Sequence, residues 1–450
     1  MTSLLIKGGR VIDPANNIDG VRDILIENGK ISAVSKCHSD TAPVLNTGEG
    51  EKPARVKKNA SKIINAEGKV VLPGLIDMHV HLREPGREDE ETIETGTRAG
   101  AHGGFTSLAC MPNTNPTVDN AEVVKFILSQ AELKGCIQVY PVGSITRGLK
   151  GEELSDIGEL VASGVVAITD DGEPVANGDL MRRALEYASM FDLTVISHCE
   201  DKTLSSGGVM NEGVVSTVLG LPGVPAVAES AIVARDIMLA ELTGAKLHIA
   251  HVSTSGSVEL IRKAKEKGIR VTAETAPHYF TLTEEDVRSF DTNFRVNPPL
   301  RTVHDLEAVK DGLKDGTIDA IATDHAPHTV VEKEYEFALA PPGMIGLETS
   351  FSLVLTELVE KKIITLREAI TKLTVGPAGI LGLDKGTLSA GADADITVVS
   401  LEKEWTVQEE SFISRSKNSP FLGRKLKGVI ETVIVGGEIV LENGENVHQR

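Results

Sequence analysis

From Val70 onward the chain alternates short strand-like runs with amphipathic stretches, and no other feature restricts its fold so strongly. Strand-like segments end near 78–82, 110–113, 142–146, 168–172, 196–200, 249–253, 273–278 and 322–328, which makes eight. Between them, stretches such as 90–101, 121–133, 179–188, 229–242 and 257–267 carry apolar residues at helical spacing. Alternation of this kind builds a parallel sheet from βα units. Eight units over roughly 260 residues predict a (β/α)8 barrel. A doubly wound open sheet is the alternative, disfavoured because no Gly-x-Gly-x-x-Gly or phosphate-loop pattern follows the first strand.

The flanks of this region read differently. Short strands are expected at 3–6, 10–13, 23–27 and 30–34, with Asn28-Gly29 as a hairpin turn. After a helix at 366–373, further short strands at 396–399, 428–435 and 438–441 follow, the last two joined through Gly436-Gly437. Both ends are therefore β-rich and are expected to pair into one small β-sandwich domain. The predicted division is 1–68 and 381–450 for that domain and 69–380 for the barrel. The polar stretch 37–62 reads as an exposed inserted loop.

Composition narrows the classes. A hydrophobic content of 41% with 25% charged residues describes a globular protein. No apolar run approaches a membrane span, and the first residues lack a basic region followed by an apolar core, so the expected setting is the cytoplasm. A formal net charge of -19 argues against nucleic acid or an anionic membrane as partner. An anionic substrate would need local cations to capture it. Cys37, Cys110, Cys136 and Cys199 show no Cys-x-x-Cys spacing and read as buried free thiols. The glycosylation pattern at Asn59 carries no weight without a secretory signal.

Barrel enzymes carry their reactive side chains at the carboxyl ends of the strands. Here those ends hold His79 and His81, Asn113, Asp170 and Asp171, His198, His251, His278, and Asp324 with His325 and His328. A His-x-His pair alone is often chance, but twelve histidines placed at random would scatter over helices and loops. Alternation puts His79 and His81 on one side of their strand. The same rule makes His251 the better ligand and His248 a structural histidine, and lets only one of Asp170 and Asp171 face the lumen. The residues alone thus predict a hydrolase with one or two zinc-like ions on His79, His81, His198 and His251, aided by carboxylates. An ion with an open position lowers the pKa of water to about 7. Asp324 is placed to take and return the proton, although Asp-His-Ala-Pro also resembles a helix cap.

Seven blocks carry a more specific signal: Pro73 to Gly86, Met111 to Thr114, Thr169 to Gly172, His198 to Glu200, His251 to Thr254, Asn297 to Arg301 and Ala322 to His328. In content and order they resemble the amidohydrolase superfamily, and within it the dihydroorotases of the long bacterial type. The resemblance covers nearly the whole chain. It implies reversible cyclisation of N-carbamoyl-L-aspartate to L-dihydroorotate in pyrimidine synthesis, with Zn2+ as cofactor, one or two ions per subunit. It also implies His79, His81, His198 and His251 as ligands, Asp171 as a bridging or bound carboxylate, and Asp324 as a further ligand and the general acid/base. Arg83, Asn113, Asn297 and His328 fall on the family's substrate positions, and Arg83 suits a carboxylate because a guanidinium fork matches it bidentately.

The fourth strand segment, Val165 to Asp171, lacks the lysine that bridges two metals in many superfamily members. That fits the subtype in which aspartate takes the role. The segment Pro341 to Thr349 resembles the family's substrate-side loop, with Gly343 and Gly346 able to bring backbone close to a ligand. Synthesis is expected to be favoured at lower pH than hydrolysis. Competing expectations are a hydantoinase, dihydropyrimidinase or allantoinase on the same scaffold, and a metal-free partner of aspartate transcarbamoylase. A homo-oligomer is expected, and association with that transcarbamoylase can coexist with catalysis.

Overall fold

The computed structural model describes residues 3–36 and 60–447. The inserted loop expected at 37–62, together with Cys37 and the Asn59 pattern, lies almost wholly outside the described residues.

Eight parallel strands build the barrel. The first sheet comprises β1 Ser3–Asp13, β2 Ile18–Glu27, β3 Lys30–Lys36, β4 Lys62–Asn65 and β5 Val70–Pro73 from the amino-terminal side. The barrel strands follow as β6 Leu75–Val80, β7 Phe105–Cys110, β8 Gln138–Pro141, β9 Ala167–Thr169 and β10 Thr194–Ser197. After a short pair, β11 Met210–Asn211 and β12 Gly223–Val224, the barrel resumes with β13 Leu247–Ile249, β14 Val271–Thr275 and β15 Ala320–Ile321. Strands β6-β7-β8 pair in one run and β9-β10-β13-β14-β15 in another, all parallel. Single parallel bridges join the runs at Gly143–Ile168 and Val80–His325, so the ring closes. His81 N–H donates to the His325 carbonyl at 2.9 Å across that last seam.

Strand alternation explains the two cores. Leu108, Cys110, Val195, Leu247, Ile249 and Ile321 pack outward with helix residues such as Val124, Leu185, Val233 and Ile261. Their alternate neighbours, Ala109, Ile196, Ala250 and Ala320, form a separate cluster with Met78, capped by Ile380 and Leu381. Small inward residues suit a closed barrel, whose interior has little room. The intervening helices start and stop on local chemistry. Asn120 caps Ala121–Lys134 by accepting from Glu122 and Val123 N–H, and Gly244 ends Val227–Thr243 at a positive φ of 68°.

The chain ends meet in one sheet. After β16 Ile396–Thr406, β17 Lys425–Val435, β18 Glu438–Glu442 and β19 Glu445–Asn446, the order is β19-β18-β17-β16-β5-β1-β2-β3, with β4 beside β1. Its core draws Leu4, Ile24 and Ile31 from one end of the chain and Ile396, Val398 and Ile434 from the other. Asn28 and Gly29 take φ of 53° and 76°, the turn expected of that pair.

Several sequence expectations shift in detail. The strands expected at 3–6 and 10–13 are one strand, β1, with an irregularity between Ile6 and Gly9. The run from Val70 is divided at Gly74: β5 belongs to the mixed sheet, pairing with β16, and only β6 enters the barrel. A Cβ on Gly74 would meet Thr106 Oγ1 at 2.1 Å, which is why the chain can cross there only as glycine. The helix expected from 90 begins at Ile93, capped by Thr92, and Glu90 and Glu91 lie buried before it. Cys110 and Cys199 are free and buried, while Cys136 is half-buried.

Candidate functional site

The carboxyl ends of the strands bring the expected side chains together. On β6, Asp77 is fully buried, and its Oδ1 accepts from His79 N–H at 3.2 Å and from Thr323 N–H at 3.1 Å. This carboxylate ties the first barrel strand to the segment that carries Asp324. Burial pushes Asp77 up to about 7 against those bonds.

His79 Nδ1 lies 2.7 Å from Glu274 Oε1 on β14. The carboxylate holds the proton on Nδ1 and turns Nε2 inward, where it is buried without a hydrogen-bond partner. His81 Nδ1 is 2.9 Å from Asn113 Oδ1, which turns its Nε2 the same way. Asp171 receives both rings, with His79 Nε2 at 3.3 Å from Oδ1 and His81 Nε2 at 3.5 Å from Oδ2. From the opposite side, His198 Nδ1 lies 3.5 Å and His251 Nε2 3.7 Å from Asp171 Oδ1. Asp324 Oδ1 closes the group at 3.2 Å from His81 Nε2.

Two ligand sets result, His79–His81–Asp171 and Asp171–His198–His251, each with its donor atoms within 4.8 Å of one another. Asp171 is common to both. These donors fit a divalent cation. His198 Nδ1 and His251 Nε2 approach to 2.9 Å, a distance that needs a proton or a cation between two lone pairs. Burial would raise the Asp171 carboxyl, but the charge of His79 and the His198 and His251 rings beside it hold it well below its usual range. Burial would likewise lower His198, yet Asp171 and Glu200 push it up to about 9. A buried carboxylate keeping this much positive charge around it is what metal ligands do when protons stand in for the ion.

Other expectations can be placed against this geometry. Asp170 turns away and accepts from Thr146 N–H at 2.9 Å and from its hydroxyl. His248 contacts Thr272 and Glu274, outside both ligand sets. His278 falls in a 3-10 turn beyond β14, also outside both sets. Asp324 caps nothing, since the next helix, Val330–Lys333, is capped by Thr329. Arg83, His251 and Asp324 take positive φ values of 60°, 33° and 48°, unusual for side-chain-bearing residues.

Asn113 and Asn297 flank the ligands, Asn113 Nδ2 at 3.5 Å from Asp171 Oδ2 and Asn297 Nδ2 at 3.2 Å from Glu200 Oε2. Beside Asn297 opens a cavity of about 360 Å3, lined also by Glu200, Lys202, Arg295 and Pro342. A larger cavity of about 650 Å3 touches Thr194, Leu247 and Val271, at the amino ends of their strands. It lies at the end of the barrel opposite the histidines, so size does not decide the site. Arg83 is nearly buried, its Nη2 3.4 Å from His328 Nε2. Gly343 and Gly346 approach protein backbone instead of open space: a Cβ would meet Ala326 O at 2.9 Å and Thr323 O at 3.1 Å, respectively.

Sequence reasoning gave no role to Asp77, Glu90, Glu200, Glu274 or Asn418. Glu274 had a signal, being a carboxylate within the otherwise uncharged strand Val271–Thr275. Glu90 and Asn418 had none, because the partner that defines each, His328, is distant in sequence.

Comparison with known proteins agrees with this geometry. Residues 68–257 match the dihydro-orotase-like family and residues 239–441 the amidohydrolase family. The chain is 56% identical over 440 residues to a dihydroorotase of Pelotomaculum thermopropionicum, covering 98% of this chain and 99% of that one. A dihydroorotase of Acetivibrio thermocellus is 54% identical over 438 residues, with 97% and 99% covered. Among solved structures, L-hydantoinase (dihydropyrimidinase) from Arthrobacter aurescens superimposes with a TM-score of 0.86 at 26% identity, covering 100% of this chain and 98% of that one. Dihydropyrimidinase from Brevibacillus agri shares the fold, with a TM-score of 0.83 at 24% identity and 99% and 96% covered. On full-length identity above one half, the chain belongs to the dihydroorotase family of the amidohydrolase superfamily.

Proposed function

We propose that the chain is a metal-dependent dihydroorotase that interconverts N-carbamoyl-L-aspartate and L-dihydroorotate in pyrimidine synthesis. The observation that carries this reading is the pair of ligand sets sharing Asp171, with Arg83 at their edge. His79, His81, Asp171, His198 and His251 would hold the metal, with Asp324 in reach, and zinc suits imidazole and carboxylate donors. The shared carboxylate favours two ions. When bound, such an ion supplies Lewis-acid polarisation of the scissile carbonyl and acidifies water.

The chain's own residues do the rest. Arg83 grips the exocyclic carboxylate, and Asn113 and Asn297 orient the ring amide through hydrogen bonds, with His328 beside Arg83 as a fourth substrate-side group. In ring opening, water adds to the carbonyl carbon, the C–N bond breaks, and Asp324 carries the water's proton to the departing ring nitrogen. In cyclisation the ureido nitrogen attacks the side-chain carboxyl carbon and water leaves. A carboxylate is consumed in that direction, so ring closure takes up a proton and gains with falling pH.

We assign residues 69–380 to the catalytic barrel and 1–68 with 381–450 to the β domain, whose sheet also takes in β5 from the start of the barrel segment. The substrates are small, charged and diffusible, which fits a cytoplasmic enzyme. We further propose a homo-oligomer, and co-purification with aspartate transcarbamoylase tests the association expected from the sequence. The test of function is ring opening of L-dihydroorotate by the metal-loaded protein, followed for Asp324→Ala. The variant should bind metal as the parent does and lose turnover. Unimpaired turnover in the variant contradicts the role given to Asp324.

A further inference from the structure

Two groups on the substrate side, Arg83 and His328, share one buried partner that the reaction scheme does not use. Glu90 is 1% exposed. Its Oε2 lies 2.9 Å from Arg83 Nε, and its Oε1 accepts from His328 Nδ1 at 2.8 Å. Arg87, 43% exposed, approaches Oε1 from the solvent side at 3.2 Å. The backbone beneath the carboxylate is also fixed, since Ser416 Oγ donates to the Glu90 carbonyl at 2.7 Å.

This arrangement fixes directions. Arg83 Nε is committed to Glu90 and to the Pro327 carbonyl at 3.1 Å, which locks the plane of the guanidinium. Among the described residues, Nη1 makes no hydrogen bond. A guanidinium held by its Nε edge presents its Nη edge as a preset fork for a planar anion. Glu90 also orients His328, whose Nδ1 lies 2.8 Å from Oε1, while Nε2 lies 2.9 Å from the Pro342 carbonyl and 3.4 Å from Arg83 Nη2.

We propose that Glu90 is a positioning residue for substrate recognition: through Arg83 and His328 it holds the fork that receives the ring's carboxylate. The proposal rests on the assignment of Arg83 to that carboxylate. It makes a prediction opposite in sign to simple electrostatics. Glu90 is an anion beside an anion site, so if charge alone mattered its removal would tighten binding. If Glu90 positions the fork, its removal weakens binding.

The test is steady-state turnover of L-dihydroorotate by the metal-loaded wild type, Glu90→Gln and Glu90→Asp, with bound metal and melting temperature measured alongside. Glu90→Gln keeps shape and loses charge. Glu90→Asp keeps charge but falls a methylene short of spanning both partners. For Glu90→Gln the expected result is a KM raised about tenfold with kcat within about twofold, the size of one charge-assisted hydrogen bond. Glu90→Asp should move KM in the same direction, and it decides the question alone if Glu90→Gln does not fold. With an active wild type, a KM unchanged or lowered, or a kcat lowered at constant KM, overturns the positioning role alone. A wild type inactive on dihydroorotate overturns it together with the substrate assignment.

Discussion

Asn418 lies in the connection between β16 and β17, yet it is buried against the catalytic end of the barrel. Its Oδ1 accepts from His328 N–H at 3.1 Å, and its Nδ2 donates to the Ala326 and Gly343 carbonyls, each at 3.1 Å. One side chain thereby staples the segment after Asp324 to the loop that carries Pro342 and Gly343. Asn418→Ala removes three buried hydrogen bonds, at about 1 kcal/mol net each, so roughly 3 kcal/mol in all. At about 1.4 kcal/mol per factor of ten, that is about a hundredfold in the local opening equilibrium. The assay is native-state hydrogen exchange read on peptides across 323–346, compared with peptides in β10 and β13. Exchange in 323–346 should accelerate about a hundredfold while the barrel strands stay protected, with kcat/KM for dihydroorotate falling in parallel. Unchanged protection, or uniform loss across the barrel, would refute the idea that this residue supports the site locally.

Other outcomes follow from the same geometry. Asp324→Asn should lower kcat on the order of 100-fold to 10,000-fold with bound metal retained, as expected for loss of a positioned proton carrier. Stripping the protein with a chelator should abolish turnover, and adding back a divalent cation should restore it; activity that survives complete metal removal contradicts the ligand assignment. Glu348 is half-buried, and desolvation pushes its carboxyl up to about 8 against the N–H groups of Ile413 and Ser414 that bond it. A carboxyl raised in the folded state contributes stability that is full below its unfolded pKa and is lost as pH rises through about 8. Glu348→Gln should therefore gain stability relative to wild type between pH 5 and 9, checked by denaturant midpoints across that range; a pH-independent difference would show that the carboxyl ionises freely.

The barrel and the ligand ring were legible because both rest on short-range signals. Eight strand ends could be counted from periodicity, and Asp77 to Gly86 placed two imidazoles and a guanidinium within five positions. Alternation separated His251, which faces Asp171, from His248, which faces Glu274. What the sequence did not show was the layer behind these groups. Glu90 and Glu91 continue an amphipathic pattern and read as a solvated helix start, yet they are buried because His328, His325 and Ser414 arrive from more than 200 residues away. Glu274 and Asn418 gain their roles in the same manner, through packing no local window contains. Gly343 and Gly346 were singled out as able to bring backbone close to a ligand, but what they approach is the neighbouring chain segment. The division of the run at Gly74 was equally hidden, since β5 and β6 share one apolar character and differ only in which sheet accepts them.

The reading of this site rests on a carboxylate-bearing ring meeting Arg83 beside the shared Asp171. The measurement that tests it most directly is turnover of L-dihydroorotate, hydantoin, dihydrouracil and allantoin, side by side, by the metal-loaded wild type and Arg83→Ala. Wild type should prefer dihydroorotate on the order of 10,000-fold in kcat/KM, because the other rings leave the Nη edge of Arg83 without an anion. Arg83→Ala should lose that preference with its metal intact. Equal or faster wild-type turnover of a ring without the carboxylate, or an Arg83→Ala variant with unchanged dihydroorotate kinetics, would contradict it.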